Sequence, residues 1–125
     1  FLRSFVSIRE TATRAPHENY YHGFLNGIFT NCKDNLGEYH SNFESGDGYA
    51  DILFKDIDCR KVAIIEIKSA SIGSDIETLS EKAISQIIDK NYAEPLMSNK
   101  TVKHIYGYGI AFAGKSSFIS VRKIK

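Results

Sequence analysis

The chain has 125 residues, 42% of them hydrophobic, and nearly balanced charge (16 Lys and Arg against 15 Asp and Glu, net +1), the make-up of one ordinary domain with a single core. So small a net charge gives no electrostatic argument for nucleic acid; Cys32 and Cys59 are too few and too isolated for a zinc cluster or a disulfide framework. No apolar run approaches the ~20 residues of a membrane span, so the expectation is a reducing, cytoplasmic setting and no membrane.

Residues 1–15, with Arg3, Arg9 and Arg14, read as a polar lead-in helix or a linker from a missing upstream domain. It ends at Ala15-Pro16, because a residue before proline is pushed out of helical angles. Pro16 suits the first turn of a helix, in which Tyr21, Phe24, Leu25, Ile28 and Phe29 recur as one apolar stripe. Glu18 lies about two turns before Leu25 on that stripe, so it should face whatever the helix covers, expected to be the carboxylate side of the hairpin described next. Taken alone, Glu18 is equally a first-turn acid favoured by the helix dipole, and His22 is more often a satisfied histidine than a base.

A turn-rich connection leads to a short strand near 38–43 and a corner at Gly46-Asp47-Gly48, whose glycines would let backbone approach a ligand closely. Glu44 and Asp47 are there either site neighbours or plain turn acids. Then comes the hairpin on which the chain is organised. A turn centred on Asp58-Cys59 sets Phe54 opposite Ala63, Ile52 opposite Ile65, and Asp51 opposite Glu66. Directly opposed side chains stand ~5 Å apart, where like charges are destabilising. Strand alternation puts Lys68 on the face of Glu66, with Ile65 and Ile67 on the other. Alternation also groups Ala50, Ile52, Phe54, Ala63, Ile65 and Ile67 on one face and Leu53, Val62 and Ile64 on the other, so both faces should be covered. Two readings fit the charges: a buried ion cluster in which Lys68 neutralises an acid, or a divalent-metal site, since hard cations take carboxylates, water and phosphate.

Ser74 and Glu77 form a capping-box pattern that opens a helix over 75–91, with Ile76, Leu79, Ala83, Ile84, Ile87 and Ile88 as its apolar side. Gln86, on its flank with Lys90, reads from sequence as an exposed helix former. Two strands follow around Gly114-Lys115. Gly109 to Ser116 matches the P-loop pattern letter for letter. A P-loop must open a helix, however, and here the flanking residues are strand-like to the chain end, which argues against nucleotide binding. No acid follows Glu94, whereas Lys100, Lys103, Lys115, Arg122, Lys123 and Lys125 do, giving either a basic region or an ordinary solvated surface.

"SNFESGDGYADI" followed by "VAIIEIK", with "ENYYHGFLNGIF" upstream and "AISQIIDKNY" downstream, resembles the PD-(D/E)XK nuclease superfamily. More closely, it resembles the nuclease-like domain at the C-terminal end of AAA-ATPase-like bacterial proteins. The resemblance covers about residues 10–118 and favours the metal reading. It implies a restriction-endonuclease-like α/β core over 16–125, a central mixed sheet flanked by helices in the order αβββαββ. Asp51, Glu66 and the Ile67 backbone carbonyl would bind Mg²⁺ or Mn²⁺, with Glu18 completing the acidic cluster. Lys68 would position the nucleophile, and Gln86 would reach toward phosphate or active-site water. His22, Tyr92 and Glu44 would stand beside the site. Family members commonly carry an arginine where this chain has Tyr49. The implied function is metal-dependent hydrolysis of nucleic acid, expected to be DNA. The alternative is a catalytically weak or inactive nuclease-like module that binds nucleic acid or regulates an ATPase. An upstream ATPase-like domain in the same chain is the expected partner, and a homodimer stays open because many small nucleases need two copies to cut both strands.

Overall fold

Residues 17–125 are described in the computed structural model; the expected lead-in over 1–15, and Pro16, lie outside them. In chain order the elements are α1 (His17–Thr30), a 3-10 turn (Lys33–Asn35), β1 (Leu36–Ser45), β2 (Gly48–Asp56), β3 (Lys61–Ala70), α2 (Ile76–Asp89), α3 (Glu94–Met97), β4 (His104–Ala113) and β5 (Ser116–Lys123). The strands form one sheet in the order β1-β2-β3-β4-β5. Among the described strands only β3 and β4, joined through α2, run parallel. This is the α/β order expected, with α3 as an added turn of helix.

The central hairpin adopts the register its turn dictates, with Phe54 opposite Ala63 and Ile52 opposite Ile65. β3 is buried without interruption from Val62 to Ile67, as suits a strand covered on both faces. On one face α1 lays Tyr21, Leu25 and Phe29 against Ile52, Ile65, Ile67, Ile110 and Phe112. Tyr21 is fully buried, stacks on Phe112 at 4.0 Å and donates from its hydroxyl to Gly114 O at 2.9 Å. On the other face α2 sets Ile84 and Ile87 against Leu53, Val62, Ile64 and Ile105.

The sequence Tyr106-Gly107-Tyr108-Gly109 explains how closely α2 lies. Tyr108 packs on the α1 side, so alternation turns the glycines toward α2. A Cβ on Gly109 would collide with the Ser80 carbonyl, and one on Gly107 would stand 3.5 Å from Ile87 Cδ1. The P-loop look-alike is accounted for in the same stroke: Gly109–Ala113 belong to β4 and Ser116 opens β5. Between them Gly114 takes φ 58°, the positive angle that a type II′ hairpin needs at its first central residue.

Several boundaries differ from the sequence reading. β1 is ten residues long rather than a short strand, because β2 offers it a full-length partner. α2 is capped by Asp75, whose side chain accepts from Thr78 N, and not by Ser74; Asp75 and Thr78 hold the same three-residue spacing one step along. Strict alternation also fails within the first hairpin. Tyr39 and Ile52 belong to the α1 side, yet Phe43 and Ala50 pack on the α2 side. The change falls on both strands at the level where Asn42 takes φ 51°, a left-handed angle that asparagine tolerates better than most residues, and where Asp51 stands opposite.

Candidate active site

β2 and β3 pair from Lys55/Val62 to Ile52/Ile65 and then part, while β3 continues along β4 as far as Ala70. At the split the Asp51 side chain takes over from the backbone ladder: its Oδ2 accepts from Ile67 N at 2.7 Å. A strand residue sends its N–H and C=O toward the same neighbour. The Ile67 carbonyl therefore leaves β3 on the Asp51 side.

Glu66, 4% exposed, alternates with Ile65 and Ile67 and so lies on the α2 side. There Gln86 meets it. Gln86 Nε2 donates to Glu66 Oε1 at 2.6 Å and to Tyr92 Oη at 3.2 Å, while Gln86 Oε1 accepts from Lys68 Nζ at 2.6 Å. A lysine only donates and a carboxylate only accepts, so one orientation of the amide satisfies both. Lys68 Nζ stands 3.7 Å from Glu66 Oε1. The two are an ion pair, as the charge-cluster reading expects, and Gln86 bridges them with the shorter bonds.

The spacing from Gln86 to Tyr92 has a backbone cause. α2 ends in a Schellman motif: Asn91, at φ 55°, donates to Ile88 O, and Tyr92 N donates to Ile87 O at 3.1 Å. That reversal folds Tyr92 back beneath its own helix, 2% exposed and beside Gln86. Burial, chiefly, raises the phenol above its ordinary pKa; the Glu66 and Asp51 charges add to the rise and the Gln86 hydrogen bond opposes it.

The tip of the β1–β2 hairpin holds this helix end in place. Asp47 N donates to Lys90 O at 2.8 Å, Asn91 Nδ2 to Asp47 Oδ2 at 2.8 Å, and Ser45 Oγ to the Tyr92 carbonyl at 2.5 Å. Gly46, at φ 59°, leaves no room for a Cβ against Asn91. The glycine corner therefore admits the chain's own helix end instead of a ligand, and Asp47 is a clasp residue. Sequence reading missed Ser45 and Asn91. The available signal was an asparagine two residues past the last helical residue, the C′ position that favours a left-handed angle.

The other expected site residues are placed as follows. His22 is bonded through Nε2 to Ser41 Oγ at 2.8 Å, a satisfied histidine on α1. Glu44 is exposed on β1 opposite Tyr49, outside the Gln86 network. Glu18 falls in the first turn of α1, and its side chain lies outside the described residues. α1 itself covers Ile65 and Ile67, the face opposite Glu66 and Lys68, and not the carboxylate side expected from sequence. The apolar stripe decides this: Tyr21, Leu25 and Phe29 need an apolar partner, and the Glu66 side at this level is polar. The basic C-terminal residues are partly engaged within the fold, with Arg122 on Glu81 at 3.3 Å and Lys125 Nζ on the carbonyls of Met97 and Asn99.

Among the described residues no group of three or more His, Cys, Asp or Glu is arranged to hold a metal, and no helix is long and apolar enough to cross a membrane. Asp51, Glu66 and the Ile67 carbonyl would offer a metal oxygen donors alone. That set fits a hard divalent cation, which commonly takes one or two carboxylates and completes its shell with water and phosphate. Searches of curated proteins and of solved structures returned no match. The family model described as the PD-(D/E)XK nuclease superfamily, whose members generally depend on divalent metal, matches residues 16–122, from the start of α1 to the end of β5, and the chain belongs to that superfamily.

Proposed function

We propose that the domain is a metal-dependent nuclease that hydrolyses phosphodiester bonds of nucleic acid, by our reading DNA. It would act as one part of a cytoplasmic chain with an ATPase-like domain upstream. The observation that supports this most is the strand split, where Asp51 accepts from Ile67 N and Gln86 bridges Glu66 to Lys68 on either side of that residue.

Asp51, Glu66 and the Ile67 carbonyl would hold Mg²⁺ or Mn²⁺, which when bound would lower the pKa of water and stabilise charge on phosphate. The protein's own part follows from the hydrogen bonds. Lys68 spends one N–H on Gln86 Oε1 and has two more to direct at an attacking water or a phosphate oxygen. Gln86 keeps that ammonium from closing onto Glu66, so the acid stays available as an oxygen ligand. Gln86 would thus position the two groups, where the family resemblance implies a glutamine that reaches toward phosphate or active-site water.

The test is cleavage of supercoiled plasmid and of a fluorescent single strand with Mg²⁺, Mn²⁺ or EDTA. Wild type is compared with Glu66→Ala and Lys68→Ala, and Mn²⁺ binding is followed by calorimetry. Activity abolished by EDTA and by Glu66→Ala, and lowered on the order of 10²–10³-fold by Lys68→Ala, is expected. Retained metal-dependent cleavage in both variants would sink the assignment. A folded wild type that neither cuts nor binds Mn²⁺ would point to a binding or regulatory module.

A further inference from the structure

We propose that β5 is a self-association edge, at which two copies of the chain pair antiparallel about a two-fold axis and extend the sheet to ten strands. Among the described residues β5 has a strand neighbour on one side only. Ile124 N donates inward to Ile105 O at 2.8 Å. Alternation then turns the backbone of Phe118, Ser120 and Arg122 toward β4 and leaves the N–H and C=O groups of Ser117, Ile119, Val121 and Lys123 pointing outward. Natural edges are usually blunted by proline, a bulge or charges along their length. β5 pairs with β4 without a break from Ser116 to Lys123, and its charges, Arg122 and Lys123, stand at one end. In between, Ile119 and Val121 are 55% and 56% exposed.

The side-chain pattern selects one register. Outward-facing residues can exchange backbone bonds only with outward-facing residues of the second copy. Setting Ile119 opposite the partner's Val121 does so twice over, by symmetry. The same register sets Phe118 opposite the partner's Arg122, a cation over a ring, Ser117 opposite the partner's Lys123, and Ser120 on the axis. A two-residue slip one way puts Ile119 against the partner's Lys123, and the other way puts Val121 against the partner's Ser117. A parallel pairing stacks the basic residues on their own copies, which is repulsive. One strand pair buries less than the ~1,200 Å² of a tight complex, so the dimer is weak, with a dissociation constant on the order of 10–100 μM. None of this rests on the nuclease reading.

Sedimentation equilibrium from about 5 μM to about 1 mM is expected to show mass rising from the 14.1 kDa chain toward twice that value. Ile119→Lys/Val121→Lys sets like charges face to face and should weaken association by roughly 100-fold. Ile119→Lys/Val121→Glu sets opposite charges face to face in this register and should restore it. These positions are exposed, and circular dichroism checks that each variant is folded. A wild type that stays monomeric, or a double-lysine variant that still dimerises, overturns the interface. A lysine–glutamate variant as monomeric as the double-lysine one overturns the register.

Discussion

Replacing Gln86 by leucine keeps the bulk of the side chain and removes its amide from three partners at once: Glu66 at 2.6 Å, Lys68 at 2.6 Å and Tyr92 at 3.2 Å. Two of those partners are charged, and hydrogen bonds to charged groups contribute about 1.5–3 kcal/mol each, so simple addition gives roughly 3–6 kcal/mol. The true loss is smaller, because Lys68 Nζ already stands 3.7 Å from Glu66 Oε1 and closes onto it once the amide is gone. A net destabilisation of about 2–3 kcal/mol remains, which lowers Tm by roughly 8–12 °C in a domain of this size. Thermal and urea melts at pH 7, with an unchanged urea slope as the check that compactness is unaltered, measure it. Gln86→Glu is the control of opposite character. One of its oxygens keeps Lys68 as a partner while the other meets Glu66 without a proton to donate, so the bond to the acid is lost and the bond to the ammonium is kept. A Gln86→Leu variant with wild-type Tm would refute the idea that this amide holds the charged pair.

Gly109→Ala drives a Cβ into the Ser80 carbonyl; α2 must shift off β4, at about 3 kcal/mol, and because α2 carries Gln86, cleavage should fall with the melting temperature. Asn91→Gly keeps the left-handed angle and loses only the bond to Asp47, about 1 kcal/mol by denaturant melts, whereas Asn91→Val adds a β-branched side chain at φ 55° and should cost about 2–3 kcal/mol. Tyr92 has a folded pKa raised chiefly by burial, so its contribution is complete below the unfolded phenol pKa of about 10 and disappears as pH rises through the folded value; melts from neutral to strongly alkaline pH should show a steeper decline in wild type than in Tyr92→Phe, and equal slopes would contradict this.

The hairpin was legible because its information is local. The turn at Asp58-Cys59 fixes the register as far as Ile52 and Ile65, and period-two alternation carries Lys68 to the face of Glu66; the expected pairing of Asp51 with Glu66 fails because the strands part there and Asp51 turns to Ile67 N. The face covered by α1 was misread for a different reason. An apolar stripe says that a helix packs, but the partner surface is chosen by contacts far along the chain, here Ile110 and Phe112 on β4. Gln86 shows the same limit: nothing within the helix distinguishes a bridging amide from a solvated one, because Glu66 and Lys68 lie some twenty residues upstream. Tyr106-Gly107-Tyr108-Gly109 could have been read. Large residues alternating with glycine along a strand mark one face for packing and the other for close approach of a second element.

The clasp ties these observations into one mechanical unit. Asp51 sits on β2, a few residues beyond the hairpin tip, and Gln86 and Tyr92 sit on and just after α2. The tip joins the two segments directly through Ser45, Asp47 and Asn91. The separation between the carboxylate at the strand split and the amide that bridges Glu66 to Lys68 is therefore set partly by residues that take no part in the chemistry. Paired substitutions expose this. If the clasp works only through global stability, loss of the Asp47–Asn91 bond and loss of the Gln86 amide should add in denaturant melts, as distant changes do. Coupling through the Schellman turn, which runs from Ile87 to Tyr92, makes the two losses sub-additive, since once the amide is gone the position of Tyr92 matters less.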